Sequence, residues 1–586
     1  ELPPPPRRLR ARHQPAHMLE RRILRIELLD LILGEIADAH LARGGYPAVH
    51  RRQLRLEQPG QQSALTLRPQ AFRHGGFAHR ALANAAQGAI RLDNAQLALG
   101  RSISLQGPIT GHAASSSSLR APHIMLAAVP DAAAAPVAQA AGATGELRLA
   151  GALIDIASPA DADQFQSGAV RITGFGRTVF EAGEIRLGGA LPAQFGQETR
   201  LQVNLDVDGQ LQLHAGQIYP ATAMTGIIRA GDSIGVERLG DAGGAPLSAG
   251  GSLRLEAPVI AQNGVLRAPF GQIELAAGER LALGAGSLTS VSGAGLAVPY
   301  GTLSNNEHWH DPSQPVDPAN PASGSLVAPP EKRITLKSPD VALAPGAVVD
   351  IAGGGELHAS EFVPGPGGSH DVLNVPGMYA ILPGQAGAAP AGGAPAGQRV
   401  WLAGGPGLAA GWYDLLPARF ALLPGAFAVQ ATGKAWGGAA APATRAPDGS
   451  LVMQGRAGNT FGGNQDAQAT AWRVMPGGTL RRYTEYNEAT ANDFFSSEAF
   501  KLTQYRLTGQ DVVTPRLPRD GGAVVFDAGR SLVLAGTLRS APDAGGRGGL
   551  VDIAGKKIAI VGRGQDGASL QADGYLVIDS ASLSNF

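Results

Sequence analysis

A short phrase of alternating apolar and polar residues recurs along most of this chain. Its form is Gly-x-apolar-x-apolar, and in "GSLRLEA" the side chains of Leu253 and Leu255 point one way while Ser252, Arg254 and Glu256 point the other. Alternation with a period of two predicts a strand with one buried face. Further copies are "GAIRLDN" (88), "GELRLAG" (145), "GAVRITG" (168), "GEIRLGG" (183), "GQLQLHA" (209) and "GQIELAA" (271).

The spacing of the copies predicts a solenoid. Many successive copies lie roughly 15 to 26 residues apart, and no convincing amphipathic helix separates them. Short strands, frequent turns and a period of about 20 residues favour an all-β parallel β-helix over leucine-rich or α-helical repeats. We assign such repeats to residues 88–375 and again to 520–586, where the last repeats are truncated.

Three related phrases, "LIDIAS", "VVDIAG" and "LVDIAG", suggest one coil position visited three times. On this interpretation the apolar residues face inward and the aspartates face solvent or cap a turn. The inward set is Ile154, Ile156, Val349, Ile351, Val551 and Ile553, and the outward set is Asp155, Asp350 and Asp552.

Two stretches do not follow the repeat. Residues 1–80 hold 14 arginines and 6 of the 13 histidines, with helical spacing over 18–43. We interpret them either as a basic partner-binding helix or, preferably, as a non-native or disordered start. Residues 376–515 hold four of the five tryptophans, which predicts an aromatic-rich insertion or cap with its own core.

Several longer phrases are not explained by periodicity. They are "VPYGTLSNNEHWHDP" (298–312), "PPEKRITLKSPDVALAPGAVVDIAGGGELHASEFVPGPGGSHDVL" (329–373), "LLPARFALLPGAF" (415–427) and "EYNEATANDFF" (485–495). Together they resemble the filamentous haemagglutinin family of Gram-negative exoproteins. The resemblance implies a right-handed parallel β-helix, two-partner secretion and adhesion at the cell surface, and we expect this chain to be an internal fragment of such a protein.

Composition narrows the classes of function. The formal net charge is zero and the chain has no cysteine, so disulfides and thiolate chemistry are excluded and no nucleic-acid partner is expected. Charged residues make up only 16% of the chain, whereas about a quarter of the residues of a typical soluble domain are charged.

The candidate chemistry is sparse. "EHWHDP" places Glu307, His308, His310 and Asp311 within five residues, a weak candidate for a divalent metal site on what we expect to be an exposed loop. No catalytic motif and no cofactor-binding motif is recognised. The outward strand positions are mixed rather than acidic, which argues against the alternative of a β-helix polysaccharide-degrading enzyme: Arg148, Arg171, Arg186, Gln212, Arg254, Glu274 and Thr335.

The expected partners follow from the resemblance and from the repeat. The resemblance implies host cell-surface glycans or proteins as ligands and an outer-membrane secretion partner for the full-length protein. An autotransporter passenger is the other alternative. Leu576 and Ile578, near the last residue, predict end-to-end self-association through an uncovered coil.

Overall fold

A computed structural model describes residues 79–83, 89–112, 114–130, 142–157, 168–188, 202–241, 243–314, 316–317, 319–365, 368–384, 396–437, 443–461, 463–565 and 567–585. The Arg/His-rich segment 1–80, with its predicted helix at 18–43, lies outside the described residues except for its last two. Among the described residues, no helix combines the length and apolar character needed to cross a membrane.

Nineteen strands lie in the described residues before 291. They are β1 His79–Ala83, β2 Ile90–Arg91, β3 Gln96–Ala98, β4 Ser102–Gln106, β5 Ile109–Thr110, β6 Ser116–Arg120, β7 His123–Ala127, β8 Val129–Pro130, β9 Glu146–Ala157, β10 Gly168–Thr173, β11 Arg177–Leu187, β12 Gln202–Val207, β13 Gln210–Pro220, β14 Thr225–Ala230, β15 Ser233–Arg238, β16 Ser252–Asn263, β17 Val265–Arg267, β18 Gln272–Leu283 and β19 Leu288–Ser290.

The rest of the chain is also mainly strand. Its strands are β20 Ala297–Ser304, β21 His308–His310, β22 Arg333–Leu343, β23 Val348–Asp350, β24 Glu356–Phe362, β25 Met378–Ile381, β26 Gln398–Leu402, β27 Gly411–Asp414, β28 Leu416–Pro417, β29 Phe427–Ala435, β30 Thr444–Arg445, β31 Leu451–Asn459, β32 Thr470–Pro476, β33 Tyr486–Thr490, β34 Ala523–Leu534, β35 Thr537–Arg539, β36 Leu550–Ala554, β37 Ile558–Val561 and β38 Leu576–Asp579.

Among the described residues, helices are few and short. The α-helices are α1 Gly477–Tyr483, α2 Ala491–Phe494, α3 Glu498–Thr508, α4 Ala568–Ala572 and α5 Ser580–Asn585, and two 3₁₀ turns span Val372–Asn374 and Ala418–Leu422. The ends of α3 show why it forms: the Ser497 hydroxyl accepts a hydrogen bond from the Phe500 N–H, and Gly509 ends the helix at a φ of 72°.

A sheet of 26 strands, parallel except where β8 pairs with β10, is here called the β-stack and comprises β1–β19, β22, β23 and β34–β38. Its strand pairs form three ladders, and successive strand segments of the chain join these ladders in turn. One ladder runs from Ser252 through Gln272, Arg333, Ala523 and Leu550. A second contains the later halves of β16, β18, β22 and β34. A third contains the later halves of β9, β11 and β13, followed by β17, β19, β23 and β35. The predicted all-β fold with a large parallel sheet is confirmed.

The period-two pattern places the core inside these ladders. Leu253 and Leu255 are fully buried, and the same side of neighbouring strands carries Ile273, Leu275, Ile334 and Leu336. Ser252, Arg254 and Glu256 are half-buried on the other side. The orientation predicted for this phrase is therefore confirmed, and one continuous apolar core fills the stack.

Two insertions interrupt the stack. Each follows a strand of the third ladder and precedes the next strand of the first ladder. Residues 291–332 separate β19 from β22, and residues 351–522 separate β23 from β34. Even so, β22 pairs directly with β34, with Arg333 opposite Ala523. The small sheet β21–β20–β24–β33 and the eight strands β25–β32 are built from these insertions. Non-stack structure therefore begins with β20, well before residue 376.

The insertions have apolar cores of their own. One cluster joins Trp309 and Leu357 to Phe420, Phe495 and Phe500, and also includes Phe270 from the stack. A second cluster lies within the eight-stranded sheet, around Val400, Met453 and Trp472. We call the structure built from both insertions the inserted module.

Two of the three related phrases share a ladder, as predicted, and the third does not. Ile154 in β9 and Val349 in β23 both belong to the third ladder, which connects them through Ile185, Ile218 and Leu266. Val551 in β36 pairs with Val524 in the first ladder. Val349, Ile351, Ile154 and Ile156 are buried as predicted, whereas Val551 is 44% exposed because β36 lies at an edge of the sheet. Asp155 is buried rather than solvated.

Candidate functional site

Two adjoining cavities in the inserted module form the candidate site, here called the groove. Their volumes are about 690 and 630 Å³. His358, Leu422 and Glu488 line both, so the cavities meet along the β24–β33 strand pair. A concave site of this size with several convergent polar groups is the usual setting for ligand binding.

The antiparallel pairing of β24 with β33 builds the floor of the groove. Ser360 lies opposite Glu488, and Phe362 lies opposite Tyr486. Because side chains alternate along a strand, His358, Ser360 and Phe362 project from the same face as their partners on β33. The rings of Phe362 and Tyr486 lie 6.4 Å apart, so the floor presents aromatic and polar groups side by side.

The 3₁₀ turn Ala418–Leu422 contributes the opposite side. Phe420 and Ala421 are buried in the module core, which fixes the turn and leaves Arg419, Leu422 and Leu423 in the cavity lining. Burial lowers the pKa of Arg419 to about 9, so the guanidinium stays charged at neutral pH.

Asp371 and Tyr486 form a polar pair in the first cavity. The Tyr486 hydroxyl donates to Asp371 Oδ1, and the Leu373 N–H donates to the same oxygen at 2.9 Å. Burial and the bond to Asp371 raise the pKa of Tyr486. The phenol is therefore neutral and fixed in orientation at physiological pH.

Glu361 ties the tip of the β20–β21 hairpin to the groove. Its carboxylate accepts hydrogen bonds from the backbone N–H groups of Asn305 (3.0 Å) and Asn306 (3.3 Å), and from Asn487 Nδ2 (3.1 Å). Both hairpin asparagines have φ near +55°, a conformation that asparagine tolerates better than most residues.

Glu488 is held differently, by a cation. Arg481 donates to both of its carboxylate oxygens and also to the Leu422 carbonyl. The hydrogen bond and the charge of Glu488 raise the pKa of Arg481 despite partial burial. Among the described residues, Glu361 and Asp371 have no such cationic partner within ion-pair distance. Carboxylates outnumber guanidinium groups in the lining of the first cavity, where Arg419 lies with Glu361, Asp371 and Glu488.

The four predicted metal candidates are not brought together as ligands. Glu307 is exposed and lines the second cavity, His308 and His310 are buried in β21, and Asp311 accepts a hydrogen bond from the Tyr300 hydroxyl at 3.0 Å. Within the described part of the chain, no cluster of three or more His, Asp or Glu side chains is arranged to hold a metal.

The expectation that 307–311 form an exposed loop was wrong for the histidines. Trp309 lies between them and packs against Phe494 and Phe495, with ring centroids 5.5 and 5.4 Å away. Its indole N–H donates to the Tyr300 carbonyl at 2.9 Å. Burial of this ring pulls the flanking residues into a strand.

A second polar cluster lies on the β-stack. Arg186 donates two hydrogen bonds to Asp155, at 2.6 and 2.9 Å, and His123 Nε2 lies 2.8 Å from the same carboxylate. The His123 ring stacks on Phe461 of the inserted module at 5.7 Å. Asp155 and Arg186 are both buried, so this cluster serves packing rather than ligand access.

Apart from Glu307, a metal candidate that lines the second cavity, no groove residue was assigned a role from the sequence. The sequence does mark the regions that supply the groove. Tyr486 and Glu488 fall in the polar aromatic run at 481–500, and Asp371 falls in the unusual loop after β24. Their convergence depends on strand pairing between residues more than 100 positions apart, which no local pattern encodes.

Searches of protein-family models, curated proteins and solved structures found no match. The functional argument therefore rests on the residues and on their arrangement.

Proposed function

We propose that this chain is part of a large secreted adhesin of the filamentous haemagglutinin type. In this proposal the β-stack is a right-handed parallel β-helix that acts as a stalk, and the inserted module presents the groove as its ligand-binding surface. The protein acts at the bacterial cell surface, and the full-length protein is exported with an outer-membrane secretion partner.

The supporting observation is the direct pairing of β22 with β34 across the long insertion. Ten residues of β22, from Arg333 to Leu343, match ten of β34 with one irregularity. The stack therefore continues as if the intervening residues were absent, which is the arrangement of a rigid scaffold that displays a separate module.

The lining of the groove suits recognition of an extended polar ligand. Tyr486 and Phe362 offer ring surface, while Glu361, Asp371 and Ser360 offer oxygen atoms in positions fixed by neighbouring hydrogen bonds. Host cell-surface glycans and proteins both present hydroxyl, amide and amine groups that such a surface can bind. Nucleic acid fits poorly, because three carboxylates and one guanidinium line the first cavity.

The test is binding of labelled protein to glycan arrays, peptide arrays and host cells. Replacing Tyr486 by Phe and Asp371 by Asn should weaken binding at least tenfold, since one hydrogen-bonded anchor of the groove is lost. Glu274→Gln, on the outer face of the stack, is the matched control and should bind like the parent. Equal binding by all three proteins would exclude the groove as the ligand site.

An enzyme is the second candidate, because three carboxylates line the first cavity. We favour binding over catalysis, since Glu488 is paired with Arg481 and Glu361 is occupied by three N–H donors. Release of new reducing ends from a bound polysaccharide, abolished by Glu361→Gln, would instead establish a glycan-degrading activity.

A further inference from the structure

The β20–β21 hairpin forms one wall of the groove. Residues 301–305 line the first cavity, and Asn306 and Glu307 at the tip line the second. The hairpin is a short antiparallel pair in which Thr302 lies opposite His310 and Ser304 lies opposite His308. Any change in its position alters the shape of both cavities.

Several buried polar atoms of this hairpin lack hydrogen-bond partners among the described residues. His310 is fully buried, and neither of its ring nitrogens has such a partner; the same holds for Nδ1 of His308 and for the hydroxyl of Thr302 opposite His310. Buried polar groups are nearly always paired, and an unpaired one is costly. A local group of such atoms marks a place where the folded state is poorly stabilised.

The surroundings of His310 favour a neutral imidazole. Burial lowers the pKa of His310, and the neighbouring His308 lowers it further, while Glu361 partly opposes the shift. Protonation of His310 would place a positive charge two residues from His308, on the same face of β21.

The remaining ionisable groups near the hairpin are already engaged or lie at its rim. Asp311 is bonded to Tyr300, and Glu361 holds the hairpin tip. His358 and Arg419 line the cavity beside Thr302, and Glu307 is at the exposed tip. A protonated His310 therefore gains no ready carboxylate partner in the closed arrangement.

We propose that the β20–β21 hairpin is an acid-sensitive gate of the groove, closed at neutral pH by the bonds of Asn305 and Asn306 to Glu361 and opened when His310 takes up a proton. The open hairpin exposes the His310 imidazole to water, where it binds a proton at the ordinary histidine value. Its effect on ligand capture rests on the proposed function of the groove; the opening itself does not.

The sign of the pH dependence follows from linkage. The open state binds more protons than the closed state below about pH 6.5, so the closed state loses stability as the pH falls. When one histidine cannot take up a proton in the closed state, the ratio of open to closed hairpin rises by up to about thirtyfold at pH 5 relative to pH 7.5.

Hydrogen exchange of the intact chain, without ligand, tests the gate. Amide protection of the peptide covering residues 297–312 is measured at pH 7.5, 6.5 and 5.5 and corrected for intrinsic exchange. We expect protection to fall by up to about tenfold between pH 7.5 and 5.5, and the fall to disappear in a His308→Gln/His310→Gln variant. His370→Gln, which changes an exposed histidine of the same module, should behave like the parent.

A second variant keeps the test decisive if the double variant does not fold. Glu361→Gln weakens the bonds that hold the tip, so its hairpin should open at a higher pH than in the parent. Protection that is unchanged down to pH 5.5, or that falls equally in the double variant, would overturn the gate. So would protection that rises on addition of Zn²⁺ and depends on both histidines, since the pair would then be a metal site.

Discussion

Asp155 shows how the environment of a single residue departs from a sequence pattern. The alternation of apolar and polar residues correctly placed it on the outer side of its strand, yet it is buried with Arg186 and His123. Burial by itself raises the pKa of Asp155, but the charge of Arg186 and hydrogen bonds from His123 and Arg186 lower it to about 2.

Replacing Asp155 by Asn should destabilise the β-stack strongly. Arg186 would keep its buried charge without a carboxylate, a loss that typically costs about 3–5 kcal/mol. Glu181→Gln, in the more exposed pair with Arg148, should cost less than about 1 kcal/mol. Urea denaturation followed by circular dichroism measures both, and equal losses would contradict the role of the buried pair.

The Asp155 carboxylate also predicts how the stability of the protein changes with pH. Its folded pKa is about 2, below its ordinary value of 3.8, so the stabilisation it provides is complete above pH 4 and is lost as the pH falls towards 2. Thermal melting between pH 5 and 2 should therefore fall more steeply in the parent than in Asp155→Asn. Parallel curves would show that the carboxylate contributes no such stabilisation.

Val349 tests the interior of the stack. It is fully buried in the third ladder, and Val349→Asp would place a charge there with no partner, which costs several kcal/mol. Val513→Asp is the control, because Val513 is 84% exposed and surface changes of this kind stay within about 0.5 kcal/mol. Comparable melting temperatures for the two variants would contradict the position of Val349 in the core.

At the scale of elements, Lys332 clamps the point where the longer insertion returns to the stack. It precedes β22 and donates to the backbone carbonyls of Pro518 and Asp520, just before β34. Burial lowers its pKa to about 8, with Asp520 and Arg516 acting in opposite directions. The clamp joins the end of the first insertion to the end of the second, where each returns to the stack.

The Lys332 clamp predicts a stability that rises with pH. Between pH 8 and 10 the unfolded chain keeps the lysine proton while the folded chain releases it, so unfolding becomes harder by about 1.4 kcal/mol per pH unit at most. Lys332→Met should remove this rise, whereas Lys337→Met, which changes an exposed lysine, should not. Urea denaturation at pH 8, 9 and 10 measures the difference.

The strands were more predictable than the site because their signal is local. Alternation at Leu253 and Leu255 directly reports which face is buried. The burial of His310 depends instead on Trp309 packing against Phe494 and Phe495, which are more than 180 residues away. The groove likewise requires β24 to find β33, and loop sequence gives no information about such distant pairing.

At the scale of the whole molecule, the exposed strands at the last edge of the β-stack are where self-association is expected. Leu576 and Ile578, predicted to be uncovered, are buried in the core between β34 and β37. The exposed apolar residues at this edge are instead Leu550, Val551, Ile558 and Ile560. Edge strands with exposed apolar side chains tend to pair with other chains.

We therefore predict concentration-dependent association through β36 and β37. Val551→Lys together with Ile560→Glu should shift the weight-average mass towards the monomer in sedimentation equilibrium, because the new charges would be desolvated in the contact. Leu502→Lys, at an exposed apolar position of α3, is the control. A parent that stays monomeric at high concentration would contradict self-association.

The central claim is that a continuous β-stack displays a separable module, and removing part of the module tests it most directly. The Gly354 N–H donates to the Pro518 carbonyl at 2.9 Å, so residues 355–517 can be replaced by two glycines with little strain. Hydrogen exchange of β18, β22 and β34 is then compared with the parent. We predict that protection of these strands persists within about tenfold, and loss of protection throughout the stack would contradict the claim.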